Sequence, residues 1–224
     1  MGVELEAVIF DLDGVITDTA EFHFIAWKNI AEEIGIKIDR SFNEALKGVS
    51  RTESLERILR YGGREGDFSQ EEKEILARKK NSLYKELITK ITRVDLLPGI
   101  WDLLQDLRSG GIKLGLASMS KNVFSVVDNL QVRKFFDVIV DVREVERGKP
   151  DPEIFLRAAK DLGVQPKDCL AIEDAEAGVK AIKKAGMFAI GIGSEKELAE
   201  ADLILPTTGG LSLSFIQRVF TEGN

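Results

Sequence analysis

Along much of the chain, short runs of consecutive apolar residues are each followed by a stretch in which apolar positions return every three or four residues. From about Leu97 onward this pattern predicts strands at residues 113–117, 138–140 and 170–172, each followed by a helix, at 123–130, 154–162 and 179–185. Further strands are expected at residues 188–192 and 203–205. Strands that are apolar throughout are buried on both faces, so the alternation reads as a parallel sheet covered by helices. The run Ala7-Val8-Ile9-Phe10 has the same character and is assigned to the same sheet.

Between residues 18 and 93 the pattern changes. Phe24, Ile25, Trp27, Ile30, Ala31 and Ile34, and later Leu76, Leu83, Tyr84 and Leu87, recur with helical spacing, and no strand-like run interrupts them. The expectation is a helical unit, residues 18–93, inserted into a core made of residues 1–17 and 94–224. Its ends, Thr17-Asp18-Thr19 and Asp95-Leu96-Leu97-Pro98-Gly99, carry turn chemistry and should be neighbours in space. Gly62-Gly63 and Gly66-Asp67 mark a loop within the insert, and Ser69 with Glu72 predicts a capping box. Asp151-Pro152 and Gln165-Pro166 read as loop or helix-start signals.

Composition narrows the class. With 224 residues, 44% hydrophobic and 31% charged, the chain has the balance of an ordinary globular protein with a sizeable core. Its net charge of −7 opposes binding to nucleic acid or to an anionic membrane surface. No uncharged apolar stretch approaches the roughly 18 residues of a membrane span. The acidic start Glu4-Leu5-Glu6 runs straight into the first strand and leaves no room for a signal peptide, so a cytoplasmic protein is expected. The single Cys169 cannot form an internal disulfide and reads as a small buried hydrophobe. The expected state is a monomer acting on a small molecule.

Candidate chemistry sits where strands end. In an open α/β sheet, ligands bind beyond the carboxyl ends of the strands. There the first strand offers Asp11 and Asp13, the second Ser118, Met119, Ser120, Lys121 and Asn122, and the fourth Glu173 and Asp174; Lys149 lies beyond the third. Two carboxylates at i and i+2 on an extended chain repel unless a cation or a proton lies between them.

These four elements, in this order, resemble the haloacid dehalogenase superfamily of phosphotransferases. The fold this implies is α/β, a Rossmann-like parallel-sheet core with an inserted α-helical cap. Phe10 to Glu21 with His23 and Trp27, Leu46-Lys47-Gly48-Val49-Ser50-Arg51 with Ser54, Arg78-Lys79-Lys80-Asn81 and Ile172 to Gly178 are similar to members that isomerise β-glucose phosphates. The resemblance implies Asp11 as nucleophile, Asp13 as general acid and base, and Ser118 and Lys149 as ligands of the transferring phosphoryl group. It implies Mg²⁺ held by Asp11, Glu173, Asp174 and the main-chain oxygen of Asp13, oxygen ligands that suit a hard cation. Arg51, Ser120, Lys121 and Asn122 would grip a second phosphate.

Lys47, Gly48, Ser54, Lys80, His23 and Trp27 would line the sugar site, with Thr19 at the hinge. Met119 departs from the family, which has a small Ala or Ser there; its amide can still face phosphate while its side chain crowds the sugar. The implied reaction interconverts glucose 1- and 6-phosphates through a bound β-D-glucose 1,6-bisphosphate. The alternatives are a sugar-phosphate phosphatase of the same superfamily and a non-catalytic phosphosugar-binding protein.

Overall fold

The computed structural model describes residues 4–46 and 49–223. After strand β1 (Ala7–Phe10), the chain leaves the sheet for helices α1 (Ala20–Glu33), α2 (Arg40–Glu44), α3 (Arg51–Tyr61) and α4 (Gln70–Ile88). It then returns through α5 (Ile100–Ser109), β2 (Lys113–Leu116), α6 (Val123–Asn129), β3 (Val138–Ile139), α7 (Glu153–Leu162), β4 (Cys169–Glu173), α8 (Glu176–Lys184), β5 (Phe188–Ile192), β6 (Leu203–Leu205) and α9 (Leu213–Glu222).

Among the described residues, the six strands form one parallel sheet in the order β3-β2-β1-β4-β5-β6. The period of two along each strand divides the apolar side chains between the faces. Val8, Phe10, Leu114, Leu116, Leu170 and Ile172 pack with residues of α5, α6 and α9. Ala7, Ile9, Cys169 and Ala171 pack with residues of α7 and α8. Cys169 is fully buried, as expected, and its apolar surroundings push the thiol up to about 12. No helix of the described residues is long and apolar enough to cross a membrane.

The insert has an apolar cluster of its own, in which Phe24, Trp27, Ile30 and Ala31 of α1 meet Leu55, Ile58 and Leu59 of α3 and Leu76 of α4. Each fully buried side chain of this size contributes about 1.5–3 kcal/mol. Ser69 makes the expected capping box with Glu72. The chain leaves and re-enters the core at touching points: Thr17 bridges to Leu96, the Thr17 hydroxyl donates to Asp95 O at 2.7 Å, and Leu97 N donates to Ile16 O at 3.0 Å.

Element ends differ modestly from the sequence reading. β2 and β3 each stop one residue early, α6 ends at Asn129, and α8 begins at Glu176 instead of residue 179. The difference at β4 matters for the site. The apolar pattern stops at Ile172, but Glu173 still pairs with Gly191, so a carboxylate is carried on the last rigid residue of a central strand.

Candidate active site

β1 lies between β2 and β4 with Phe10 opposite both Leu116 and Ile172. That register brings Asp11, Ser118 and Glu173 to one edge of the sheet, against a cavity of about 430 Å³ that the helical insert covers from the other side. Asp11 N donates to Ile172 O at 2.9 Å, which extends the ladder one residue past β1 and fixes the direction of its side chain.

Lys149 Nζ lies 2.5 Å from Asp11 Oδ1 and 2.7 Å from Glu173 Oε2, and all three side chains are buried. Burial alone favours the neutral amine, yet Asp11 and Glu173 outweigh it and hold Lys149 above the ordinary lysine range. Glu173 is pushed above the usual carboxylate range by burial and by the charge of Asp11, with Lys149 opposing. Its Oε1 also accepts from the amides of Asp174 at 3.2 Å and Ala175 at 3.1 Å.

Asp11, Glu173 and Asp174 each offer a carboxylate oxygen, and these oxygens lie within 4.8 Å of one another. A side chain at Gly178 would collide with the Glu173 carboxylate, and one at Gly14 with that of Asp174. Gly14 also turns the chain at φ +75°, a conformation glycine adopts readily. Three acids against one lysine leave local negative charge, and a set made only of oxygens fits a hard divalent cation.

Asp13 is not part of this cluster. Thr19 donates its hydroxyl to Asp13 Oδ1, and the Tyr84 hydroxyl donates to Thr19 Oγ1 at 3.1 Å. Enclosure in the cleft, followed by the charge of Asp11, pushes the Asp13 carboxyl up to about 7. A carboxyl balanced near neutrality can both give and take a proton.

His23 Nε2 is buried without a hydrogen-bond partner among the described residues and lies 4.0 Å from Asp13 Oδ2. Burial, then Lys80 and Arg51, hold His23 well below its ordinary pKa, which favours the neutral ring. Lys80 Nζ sits 2.7 Å from His23 Nδ1. An ammonium there makes Nδ1 the acceptor and leaves the ring proton on Nε2, directed toward Asp13. Lys80 itself is buried beneath the rings of Tyr84, at 4.6 Å, and Trp27, at 5.1 Å. Burial and then Arg51 bring its pKa down to about 7.

A second group of donors spans the seam between insert and core. Ser50 caps α3, accepting from Glu53 N at 3.2 Å, and so places Arg51 at the start of the helix, over the cavity. Arg51 Nη2 and Asn122 Nδ2 both donate to Asn81 Oδ1, at 2.7 and 2.8 Å. Below them Ser118 Oγ accepts from Ser120 N and Ser120 Oγ from Asn122 N, at 3.1 and 3.3 Å, curling the segment after β2 toward the cavity. This arrangement can hold an anion some distance from Asp11.

The haloacid dehalogenase-like hydrolase model matches residues 5–186. The chain belongs to the haloacid dehalogenase-like hydrolase family. A relative in this family, the β-phosphoglucomutase of Bacillus subtilis, is 54% identical over 218 residues, 97% of this chain and 96% of the relative. The phosphorylated carbohydrates phosphatase of Thermotoga maritima is 34% identical over 185 residues, 82% of each chain. The crystal structure of a β-phosphoglucomutase from Clostridium difficile superposes with a TM-score of 0.95 at 49% identity, covering 97% of this chain and 98% of that one. The six-stranded parallel sheet with its covering helices is the haloacid dehalogenase-like fold.

Of the residues read from the sequence of this family member, Asp11, Asp13, His23, Trp27, Arg51, Ser54, Lys80, Ser118, Met119, Ser120, Lys121, Asn122 and Asp174 line the cavity. Glu173 and Lys149 lie just behind it, joined to Asp11. Lys47 and Gly48 lie outside the described residues. The Asp13 carboxylate is not part of the three-acid cluster. Trp27 and Ser54 are each only 2% exposed, and Ser54 donates to Ser50 O, so both serve the insert's interior as well as the cavity wall. Thr19 is fully buried and donates to Asp13. The sequence reading left Asn81 and Tyr84 out of the site; their partners lie 30 to 65 residues away along the chain, a separation that helical periodicity cannot report.

Proposed function

We propose that the protein is a β-phosphoglucomutase, interconverting β-D-glucose 1-phosphate and glucose 6-phosphate through β-D-glucose 1,6-bisphosphate. One observation carries this reading beyond generic phosphoryl transfer. Donors stand at two ends of the cavity, Ser118 beside Asp11 with Lys149 just behind at one and Arg51 with Asn122 at the other, an arrangement that suits a sugar bearing two phosphates. The identity to the Bacillus subtilis relative supports it over nearly the whole length.

With Asp11 carrying a phosphoryl group, Asp13 takes the proton of the free sugar hydroxyl as that oxygen attacks phosphorus and the bond to Asp11 breaks. The bisphosphate turns end for end. Asp11 then attacks the other phosphate, and Asp13 returns the proton to the departing sugar oxygen. Neutral His23, fixed by Lys80, orients Asp13, while Tyr84 acts on it through Thr19. Ser118 and Lys149 stabilise the phosphoryl oxygens in transit.

Asp11, Glu173, Asp174 and the main-chain oxygen of Asp13 would hold Mg²⁺, whose charge offsets that of the phosphoryl oxygens when it is bound. Ser120, Lys121 and Asn122 join Arg51 on the distal phosphate, and Ser54 borders the sugar. Closure of residues 18–93 on the core excludes water, so that the sugar hydroxyl receives the phosphoryl group. The enzyme acts as a monomer in the cytoplasm.

The test is a ³¹P NMR time course of β-glucose 1-phosphate with protein, Mg²⁺ and a trace of the bisphosphate. Conversion to glucose 6-phosphate without inorganic phosphate is expected. Stoichiometric inorganic phosphate would make the enzyme a phosphatase, and an unchanged spectrum would point to another sugar or to a binding role.

A further inference from the structure

Met119 and Gly148 compete for one space. Met119 follows Ser118 at the carboxyl end of β2, and Gly148 precedes Lys149 on the segment after β3; both line the cavity. A methyl group at Gly148 would lie 2.8 Å from Met119 Cε and 3.7 Å from its sulfur. Carbon atoms pack at about 3.5–4.0 Å, so the end of the Met119 side chain already fills the place of a side chain at 148. The same side chain packs against the apolar cluster on the α7 and α8 face of the sheet, as does Val145 of the Gly148 segment. Gly148 is not among the glycines with positive φ, so its backbone conformation does not require glycine. The neighbour that occupies the space is Met119, through the far end of a flexible side chain.

We propose that Gly148 is a seat for the Met119 thioether, and that the pair determines how much of the cavity is open to the sugar. Seated, Met119 lies along the wall and adds contact between the phosphate-binding segment and the segment carrying Lys149. Displaced, an unbranched side chain with low torsional barriers swings into the cavity. Filling the seat therefore costs little stability and acts on the substrate. The larger residue after Ser118 is accommodated because residue 148 has no side chain. The substrate named in this inference rests on the mutase reading; the packing does not.

The experiment compares Gly148→Ala, Met119→Ala and the double variant with the wild type. Gly148→Ala should unfold within about 3 °C of wild type, while its KM for β-glucose 1-phosphate rises about tenfold and kcat falls by less than KM rises. The double variant, with the collision removed, should return KM to within about threefold of wild type. A wild-type KM in Gly148→Ala, or a double variant as impaired as Gly148→Ala, would overturn the proposal.

Independently of turnover, the ¹³C-methyl resonance of Met119, identified by its loss in Met119→Ala, should show an NOE to the Gly148 α-protons and should shift in Gly148→Ala. An unshifted methyl without that NOE sinks the seat even in an active mutase. A shifted methyl in a protein with no mutase activity supports the seat and counts against the function alone.

Discussion

The two halves of the cleft each bury a lysine, and the outcomes are opposite. On the core side Lys149 lies between Asp11 and Glu173 and is held above the ordinary lysine range. On the side of the insert Lys80 faces a histidine nitrogen and two aromatic rings, with Arg51 adding like charge, and falls to about 7. Desolvation acts against both ammonium groups, so the partners decide the outcome. The core half is an acid-rich cluster around one lysine, with carboxylates left over for a cation. In the insert's half Asp13 offsets the burial of Lys80 only in part, and the lysine lies near neutrality beside His23.

The largest break in that comparison is Lys149→Met. Leaving the buried Asp11 and Glu173 carboxylates without their shared cation should cost about 3–5 kcal/mol in metal-free urea unfolding and lower kcat by about 10²–10³-fold. Stability and turnover unchanged together would mean that the two acids do not need the lysine.

Lys80→Met, the same substitution in the other half, should behave differently. Unfolded Lys80 keeps its proton to about 10.5 while the folded residue loses it near 7, so between those values the unfolded state binds more protons. Wild-type stability should then rise with pH across that window, by an amount on the order of a few kcal/mol. The variant lacks this dependence. It should be more stable than wild type at pH 6, lose that advantage by pH 10, and fall about tenfold in kcat/KM because His23 is no longer oriented. Urea curves at the two pH values provide the check, and a variant less stable at pH 6 would refute the assignment.

The smallest effect belongs to Tyr84→Phe. It keeps the ring against Lys80 and removes only the hydroxyl, which donates to Thr19 and also pairs with Ser120. A loss of about 1 kcal/mol of support for Asp13 corresponds to roughly fivefold in kcat, with thermal unfolding hardly moved. An unchanged kcat would show that neither Thr19 nor Ser120 needs the hydroxyl for turnover.

The same division governs what could be read from the sequence. In the core half, an apolar run followed by a polar group is a local pattern, and it located Asp11, Asp13, Ser118 and the Glu173-Asp174 pair before any packing was known. It misplaced the end of β4 by one residue because hydrophobicity stops at Ile172 while backbone pairing continues to Glu173. In the insert, helical periodicity revealed the helices but gave no functional reason to prefer Arg51 or Lys80 over any other surface charge. Only resemblance to a family singled them out. Tyr84 read as one more apolar position on its helix, yet its hydroxyl completes the path to Asp13; Asn81 joins two donors that come together only when the insert meets the core.

The touching exit and return of the chain at Thr17 and Leu96 have a further consequence for how such a molecule can diversify. To the sheet, everything between those residues resembles a tight turn, because the ends are already joined by hydrogen bonds beside the strands. The order and register of β1, β2 and β4 place no demand on the length or content of what is mounted there. A different helical unit could be spliced at this junction, bringing a new reach and a new set of sugar contacts, while the phosphoryl-transfer chemistry below stayed in register.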